Sequence, residues 1–188
     1  MKGVTNIALS VDGFIADKDG SMEWLNNQPQ IPGEDFGFKE FLKGVDCMIM
    51  GHKTFDTVAG FGEKLWAYGD KPIYVLTRGA VSNVIVPDWV PRTVTVTTVK
   101  SLQKFWLDLE SSHPKFKTVY VDGGRTIQSL LRGGFIDRMT LTRVPILLGE
   151  GIPLFTASLG HNVNLKLLDT KPFPNGFIIT TYQVINEI

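Results

Sequence analysis

Apolar runs and helical repeats alternate along most of the chain, a pattern that is typical of a sheet whose strands are joined by helices. Strand patterns occupy residues 3–9, 46–51, 72–76, 93–99, 119–122 and 138–148, with Pro145 interrupting the last of them. Helix patterns occupy residues 34–43, 52–59 and 102–109, and another begins near Arg125. We therefore expect parallel strands joined by right-handed crossovers through most of the sheet.

The last two strand patterns, at residues 164–170 and 177–185, are joined by a short connection that contains Pro172 and Gly176. Successive strands that lack a crossover helix pair antiparallel. The chain is therefore predicted to form an α/β fold, with a mostly parallel central sheet flanked by helices and a C-terminal antiparallel hairpin.

Length and charge narrow the class of protein and its partners. A chain of 188 residues suits a single domain, residues 1–188. The 19 basic and 19 acidic residues balance, and no basic run is present, which argues against a nucleic-acid partner. The single cysteine, Cys47, permits no internal disulfide, and no apolar stretch is long enough to span a bilayer. We expect a cytoplasmic protein without a membrane partner.

A pair of glycines, Gly123 and Gly124, joins the strand at residues 119–122 to the helix that follows. Glycine allows a tight turn and a close approach by a ligand, and a helix N-terminus offers free N–H groups and a positive dipole end. Together these features favour an anion, above all a phosphate.

Two other predicted strands end in a similar way. Lys53 and Thr54 follow one of them, and Thr77 and Arg78 follow the other. Ligands of such sheets bind beyond the carboxyl ends of the strands, and one phosphate would not need three ends. A dinucleotide with an extra ribose phosphate would, so we predict that the chain binds NADPH. The alternative is that the glycines only make turns and that the two cations are solvated surface charges.

Five segments, taken in order, resemble the dihydrofolate reductase-like superfamily. They are residues 8–16 (Ala-Leu-Ser-Val-Asp-Gly-Phe-Ile-Ala), 50–55, 75–78, 121–125 and 134–155, which ends in Leu-Gly-Glu-Gly-Ile-Pro-Leu-Phe. The resemblance is strongest to the branch related to the C-terminal reductase domain of the bifunctional riboflavin-biosynthesis deaminase–reductase. It covers nearly the whole chain.

The resemblance implies an NADPH-dependent reductase with about eight strands in the central sheet, often a homodimer. The positions that it assigns to the cofactor are Ala8, Ile15, Gly51, His52, Lys53, Thr54, Leu76, Thr77, Arg78, Gly123, Gly124, Arg125, Thr126 and Ile127. Ala8 and Ile15 would flank the nicotinamide, and the bond between Gly123 and Gly124 could be cis. His52 stands where the family commonly has arginine, which makes the phosphate site less cationic.

The resemblance also implies a reductase similar to 5-amino-6-(5-phosphoribosylamino)uracil reductase, with a small pterin- or aminopyrimidine-like substrate and a carboxylate on the first helix as its proton donor. Asp35 or Glu34 would supply that carboxylate, and Trp24 and Phe38 could stack on the ring. The alternatives are that both acids only favour the helix N-terminus and that both aromatic side chains belong to the core.

Two rival functions remain open at this stage. The chain could be a true dihydrofolate reductase, or a non-catalytic module that binds a nucleotide or a pteridine. The sequence has no His-x-Glu with Pro-Cys-x-x-Cys, so the zinc deaminase partner of the riboflavin enzyme is missing. His52, His113 and His161 are far apart in sequence and suggest no metal site.

Overall fold

The computed structural model describes residues 1–156 and 159–185. Its strands are β1 Lys2–Ser10, β2 Phe14–Ala16, β3 Cys47–Gly51, β4 Ile73–Thr77, β5 Val94–Thr98, β6 Thr118–Asp122, β7 Arg138–Val144, β8 Ile152–Pro153, β9 Asn164–Pro172 and β10 Ile178–Ile185. Its α-helices are α1 Glu23–Asn26, α2 Phe38–Lys43, α3 His52–Gly60, α4 Leu102–Ser112 and α5 Gly124–Arg132. No helix among the described residues is long and apolar enough to cross a membrane.

Eight of the strands form one sheet, in the order β5-β4-β3-β6-β1-β7-β10-β9. The pairs from β5 to β7 are parallel, whereas β10 runs antiparallel to both of its neighbours, β7 and β9. The predicted α/β fold, with its mostly parallel sheet and C-terminal antiparallel hairpin, is therefore confirmed.

Helices cover the two faces of this sheet unequally. Side chains alternate between faces along a strand, and the residues that pack with α4 and α5 form one continuous core around Trp106 and Ile127. The opposite face carries two separate clusters. One contains Met48, Phe55 and Tyr120, and the other contains Trp24, together with aromatic residues near β10. Between these two clusters, the middle of the second face is covered by fewer apolar side chains than the first face is.

Two predicted elements are shorter than expected. The helix predicted over residues 34–43 begins only at Phe38, because Gly37 takes a left-handed conformation with φ of 79°. The strand predicted over residues 138–148 ends at Val144, immediately before Pro145, which has no N–H to continue the ladder.

The long connection after β1, for which no element was predicted, contains β2 and α1. Strand β2 pairs antiparallel with β8, so Phe14 lies opposite Pro153. This two-stranded sheet fixes residues 14–16 next to the carboxyl edge of the main sheet.

Replacing Gly3 by alanine tests the packing of β1. A Cβ at Gly3 would lie 2.0 Å from the backbone oxygen of Phe135, so the chain must shift, and the loss of about 1–3 kcal/mol should lower Tm by roughly 5 °C. Gly44→Ala is the control, since its nearest atom would be 3.6 Å away. Thermal unfolding of both variants gives the comparison, and equal Tm values would contradict this account of the packing.

Candidate active site

The three glycine- and cation-bearing strand ends lie side by side. Strands β4, β3 and β6 are neighbours, and all three are parallel. Their carboxyl ends therefore meet at one edge, where β4 leads to Arg78, β3 leads to Lys53 and β6 leads to Gly124. The convergence expected from the sequence is present in the fold.

The N-termini of α3 and α5 pack against each other at this edge. A Cβ on Gly123, where φ is 88°, would lie 2.3 Å from Thr54 Oγ1, and a Cβ on Gly51 would lie 3.4 Å from Thr126 Oγ1. Neither helix has a side-chain cap, so its first N–H groups point towards the edge without a side-chain acceptor. Two such termini together favour an anion at this edge. The peptide bond between Gly123 and Gly124 is trans, so the cis bond suggested by the resemblance was wrong.

The residues around these termini differ in what they can offer. Lys53, Arg78 and Arg125 are exposed and free to approach a phosphate, and His52 is half-buried. Leu76 is buried in the core, so only its backbone can face a ligand, and the same holds for Ile127.

Thr77 is also buried, and its hydroxyl accepts a hydrogen bond from the N–H of Gly79 at 3.1 Å. Its side chain shapes the loop that carries Arg78. The hydroxyl therefore stabilises the loop that carries Arg78 and is not exposed at the carboxyl edge of the sheet.

Ile15 packs against the turn formed by Gly123 and Gly124. Its Cδ1 atom would lie 2.8 Å from a Cβ on Gly124. The loop that carries it is held by Asp12, whose carboxylate accepts hydrogen bonds from the N–H groups of Leu148 and Gly149. The hydroxyl of Ser10 donates to the same carboxylate, and these bonds lower the pKa of Asp12. Asp12 thus fixes the loop that places Ile15.

A polar row crosses the sheet between the two clusters of the second face. Asn6, Thr140, Thr181 and Asp169 pair in turn across β1, β7, β10 and β9, and Asp122 extends the row on β6, two residues beyond the last pair of β6 with β1. Asp169 is exposed and the other four are half-buried. Half-buried polar residues on the central strands of a large sheet mark an open trough, since such strands are normally covered on both faces. Ala8, also half-buried, lies next to the row on β1.

Aromatic side chains stand on both sides of the polar row. The ring of Phe38 lies 6.3 Å from that of Tyr120, and the ring of Phe36 lies 5.1 Å from that of Phe177. Residues 36–38 therefore connect the two clusters across the face of the sheet. Trp24 is buried among Val144 and its neighbours, so it supports the second cluster from within.

Asp122 is the residue that the sequence analysis missed. Its carboxylate accepts a hydrogen bond from the N–H of Gly123 at 2.7 Å, and the neighbouring Tyr120 hydroxyl donates to the backbone oxygen of Asn6 at 2.9 Å. Burial raises the pKa of Asp122 to about 6, against the opposing effect of the hydrogen bond from the Gly123 N–H. The sequence feature that could have identified Asp122 is an acidic residue directly before the glycine pair, at the carboxyl end of a predicted strand.

The two acids predicted as proton donors both accept hydrogen bonds from backbone N–H groups. The carboxylate of Asp35 accepts hydrogen bonds from the N–H groups of Lys39 and Gly37, and these bonds lower the pKa of Asp35. Glu34 accepts from the N–H of Phe36 at 2.8 Å. Both acids organise the turn before α2. A carboxyl group with a lowered pKa is a poor proton donor.

Comparison with known proteins identifies the relationship. The model of the RibD C-terminal domain family matches residues 2–179. The chain belongs to this family. It is 32% identical over 174 residues to the uncharacterized protein YwjB of Bacillus subtilis (strain 168), covering 92% of each chain.

Solved structures agree with this assignment. A "Putative riboflavin biosynthesis protein" from Shewanella sp. PV-4 matches with a TM-score of 0.86 and 35% identity, covering 99% of this chain and all of that one. Dihydrofolate reductase from Enterococcus faecalis, solved with NADP(H), matches with a TM-score of 0.61 and 15% identity over 98% of this chain and 97% of that one. The second match shows the fold alone. The predicted dihydrofolate reductase-like fold and its riboflavin-reductase branch are confirmed.

The raised pKa of Asp122 makes a prediction about stability. An acid whose pKa rises from 3.8 to about 6 on folding is destabilising when ionised, so the wild type loses stability as pH rises between these values. Asp122→Asn keeps the acceptor for Gly123 and removes the charge. It should raise Tm at pH 8 by roughly 2–4 °C, allowing about 1 kcal/mol for a partly exposed group.

The same difference should vanish as pH falls towards 4. Asp35→Asn is the control of opposite sign, because its lowered pKa stabilises the fold at neutral pH and that stabilisation is lost in acid. Melting curves at several pH values test both variants. A Tm for Asp122→Asn below that of the wild type at pH 8 would contradict the assignment.

Proposed function

We propose that this chain is an NADPH-dependent reductase that acts on a small pterin- or aminopyrimidine-like heterocycle. The observation that carries the proposal is the position of Asp122, directly before Gly123 and Gly124. A carboxyl group with a raised pKa therefore adjoins an anion-binding turn, at the end of the polar row. NADPH, when bound, supplies the hydride, and the substrate also needs a proton.

The roles proposed for the cofactor residues follow their positions at the edge. The N-terminus of α5, from Gly124 to Ile127 together with Gly123, binds the pyrophosphate. The N-terminus of α3, from Gly51 to Thr54, binds the adenosine side. Arg78 pairs with the ribose phosphate, since a guanidinium matches phosphate in a bidentate way. Ala8 and Ile15 bound the nicotinamide. The NADP(H) bound by the reductase from E. faecalis supports this assignment by fold.

The proton comes from Asp122 in this proposal, and not from Asp35 or Glu34. With a pKa of about 6, Asp122 is partly protonated near neutral pH, as a general acid must be. After donation it regains its proton from water. Phe38 packs against one side of the substrate ring. Trp24 packs behind the aromatic residues on the other side of the ring. A cytoplasmic location is part of the same proposal, because it fits a family of metabolic enzymes.

Replacing Arg78 by alanine tests the cofactor site. NADPH and NADH are titrated by quenching of the fluorescence of the four tryptophans. The variant should bind NADPH about 10–100-fold more weakly and bind NADH as the wild type does, because only NADPH carries the extra phosphate. Arg92→Ala is the matched control, an exposed arginine before β5 at the opposite edge. Equal weak binding of both cofactors by the wild type would overturn the proposal.

Replacing Asp122 by asparagine tests the proton donor. Oxidation of NADPH is followed spectrophotometrically with dihydrofolate, a dihydropterin and an aminopyrimidine nucleotide. The rate of the reactive pair should fall as pH rises through about 6, where Asp122 loses its proton. Asp122→Asn should lower kcat by about 10²–10⁴-fold and leave NADPH binding unchanged.

Asp35→Asn is the control for this experiment and should keep its turnover. Preference for dihydrofolate would instead favour a true dihydrofolate reductase. Tight NADPH binding without oxidation by any of the three substrates would favour a non-catalytic binding module.

We also propose that the protein is a homodimer. All nine residues of β9, the edge strand, are exposed, and Leu165, Leu167 and Leu168 are 41%, 55% and 50% exposed. A long exposed edge with large apolar side chains is unusual for a monomer, since it invites pairing with another chain. These residues and their neighbours on β10 form the proposed interface.

The mutation Leu167→Glu tests the proposed dimer. A charge within an apolar interface is costly to bury, so the variant should elute as a monomer while the wild type elutes as a dimer in light-scattering chromatography. Leu107→Glu is the matched control, because Leu107 on α4 is also 55% exposed. A monomeric wild type, or dissociation by both variants, would contradict the interface.

A further inference from the structure

We infer that the substrate of this site is an unphosphorylated ring that presents N–H donors to Asp122. The inference rests on the proposed function and adds the chemical class of the substrate. It separates the chain from the deaminase/reductase of Thermotoga maritima, which is named for phosphoribosylated substrates and shares the fold at 12% identity.

The charge along the polar row favours neutral or cationic ligands. Carboxylates stand at both of its ends, Asp122 on β6 and Asp169 on β9, with neutral amide and hydroxyl groups between them. None of the five residues is cationic. Both carboxyl groups offer oxygens that accept hydrogen bonds from N–H groups, and no group in the row carries a positive charge that could pair with an anion, so the row favours N–H groups over anions.

Two cations on the same face of the sheet, Lys171 and Arg138, lie outside the row. Lys171 pairs with Ile179 on β10, and its Nζ lies over the ring of Phe173, 4.6 Å from the centroid. Arg138 lies on the amino-terminal side of the row, where it lines a separate cavity of about 450 Å³ with Lys2. The cations at the carboxyl edge are those assigned above to the cofactor.

A phosphate in the row would therefore be poorly placed. It carries about −1.5 to −2 charges at neutral pH, and it would lie beside carboxylates without a cation to pair with. Like charges at short range repel strongly in a half-buried site, where solvent screens them incompletely. A flat ring with amino and amide groups meets no such repulsion. Its N–H groups can bind Asp122 while Asn6 and Thr140 donate to its carbonyl or ring nitrogen.

The inference is tested with a matched pair of ligands. They are 5-amino-6-(5-phosphoribosylamino)uracil and the same compound after removal of its phosphate. Each is titrated calorimetrically into the wild-type protein, both free and loaded with NADP⁺. The dephosphorylated compound should bind at least 10-fold more tightly in both forms. Tighter binding of the phosphorylated compound would overturn the inference and leave the reductase proposal intact.

The other outcomes are also decisive. If NADP⁺ binds and neither compound does, the substrate class is wrong while the cofactor proposal stands. If NADP⁺ does not bind, the proposed function fails, and the titrations of the free protein still decide whether a phosphate is recognised.

Three lysine or arginine variants check the nearby cations. Lys171→Ala and Arg138→Ala should leave the ratio of the two affinities within 2-fold of the wild-type ratio. Lys166→Ala, on the same edge strand as Lys171, is their control. A selective loss of the phosphorylated compound in Lys171→Ala or Arg138→Ala would show that a phosphate site exists.

A gain of function completes the test. Thr181→Lys places a cation within the polar row, and it should raise the affinity for the phosphorylated compound at least 10-fold while changing that of the dephosphorylated compound little. The absence of this gain in a folded variant would show that the row does not contact the substituent, against the inference.

Discussion

The close packing of two helix N-termini at neighbouring strand ends is the constraint on which the site depends. Thr54 at the start of α3 comes so near to Gly123 that no Cβ fits there, and φ at Gly123 is also unfavourable for other residues. Two positive helix ends are brought together without side-chain caps. Such an arrangement leaves N–H groups unsatisfied unless water or an anion binds them, so the fold itself favours an anion at this edge.

The opposite side of the sheet shows how a cleft arises from incomplete coverage. Two hydrophobic clusters form on this face rather than one, and the segment around Phe36 and Phe38 joins them. Gly37, with its left-handed φ, and the carboxylate of Asp35 determine how this segment turns into α2. The polar row between the clusters stays half-buried because neither cluster extends over it.

Three aspartates near the site illustrate how environment decides the role of one residue type. Asp12 accepts hydrogen bonds from Ser10 and from two backbone N–H groups, and these bonds lower its pKa. The ionised carboxylate holds the loop after β1 in place. Asp35 is likewise held ionised by backbone N–H groups before α2. Asp122 lies among buried aromatic residues, and the cost of desolvating its charge raises the pKa. Only the last environment brings the pKa of an aspartate close to neutral pH.

The sequence by itself determined the fold and the converging edge. Continuous apolar strands separated by helical repeats predict a parallel sheet. The glycines and cations that follow β3, β4 and β6 are local sequence features, so they can be identified without the tertiary structure. Only the tertiary structure decided which carboxyl group is perturbed and where the trough lies. Burial of Asp122 depends on the cluster that contains Tyr120, and the polar row depends on register between strands that are distant along the chain. Neither property is encoded within a single segment, since both arise from contacts between residues that are distant along the chain.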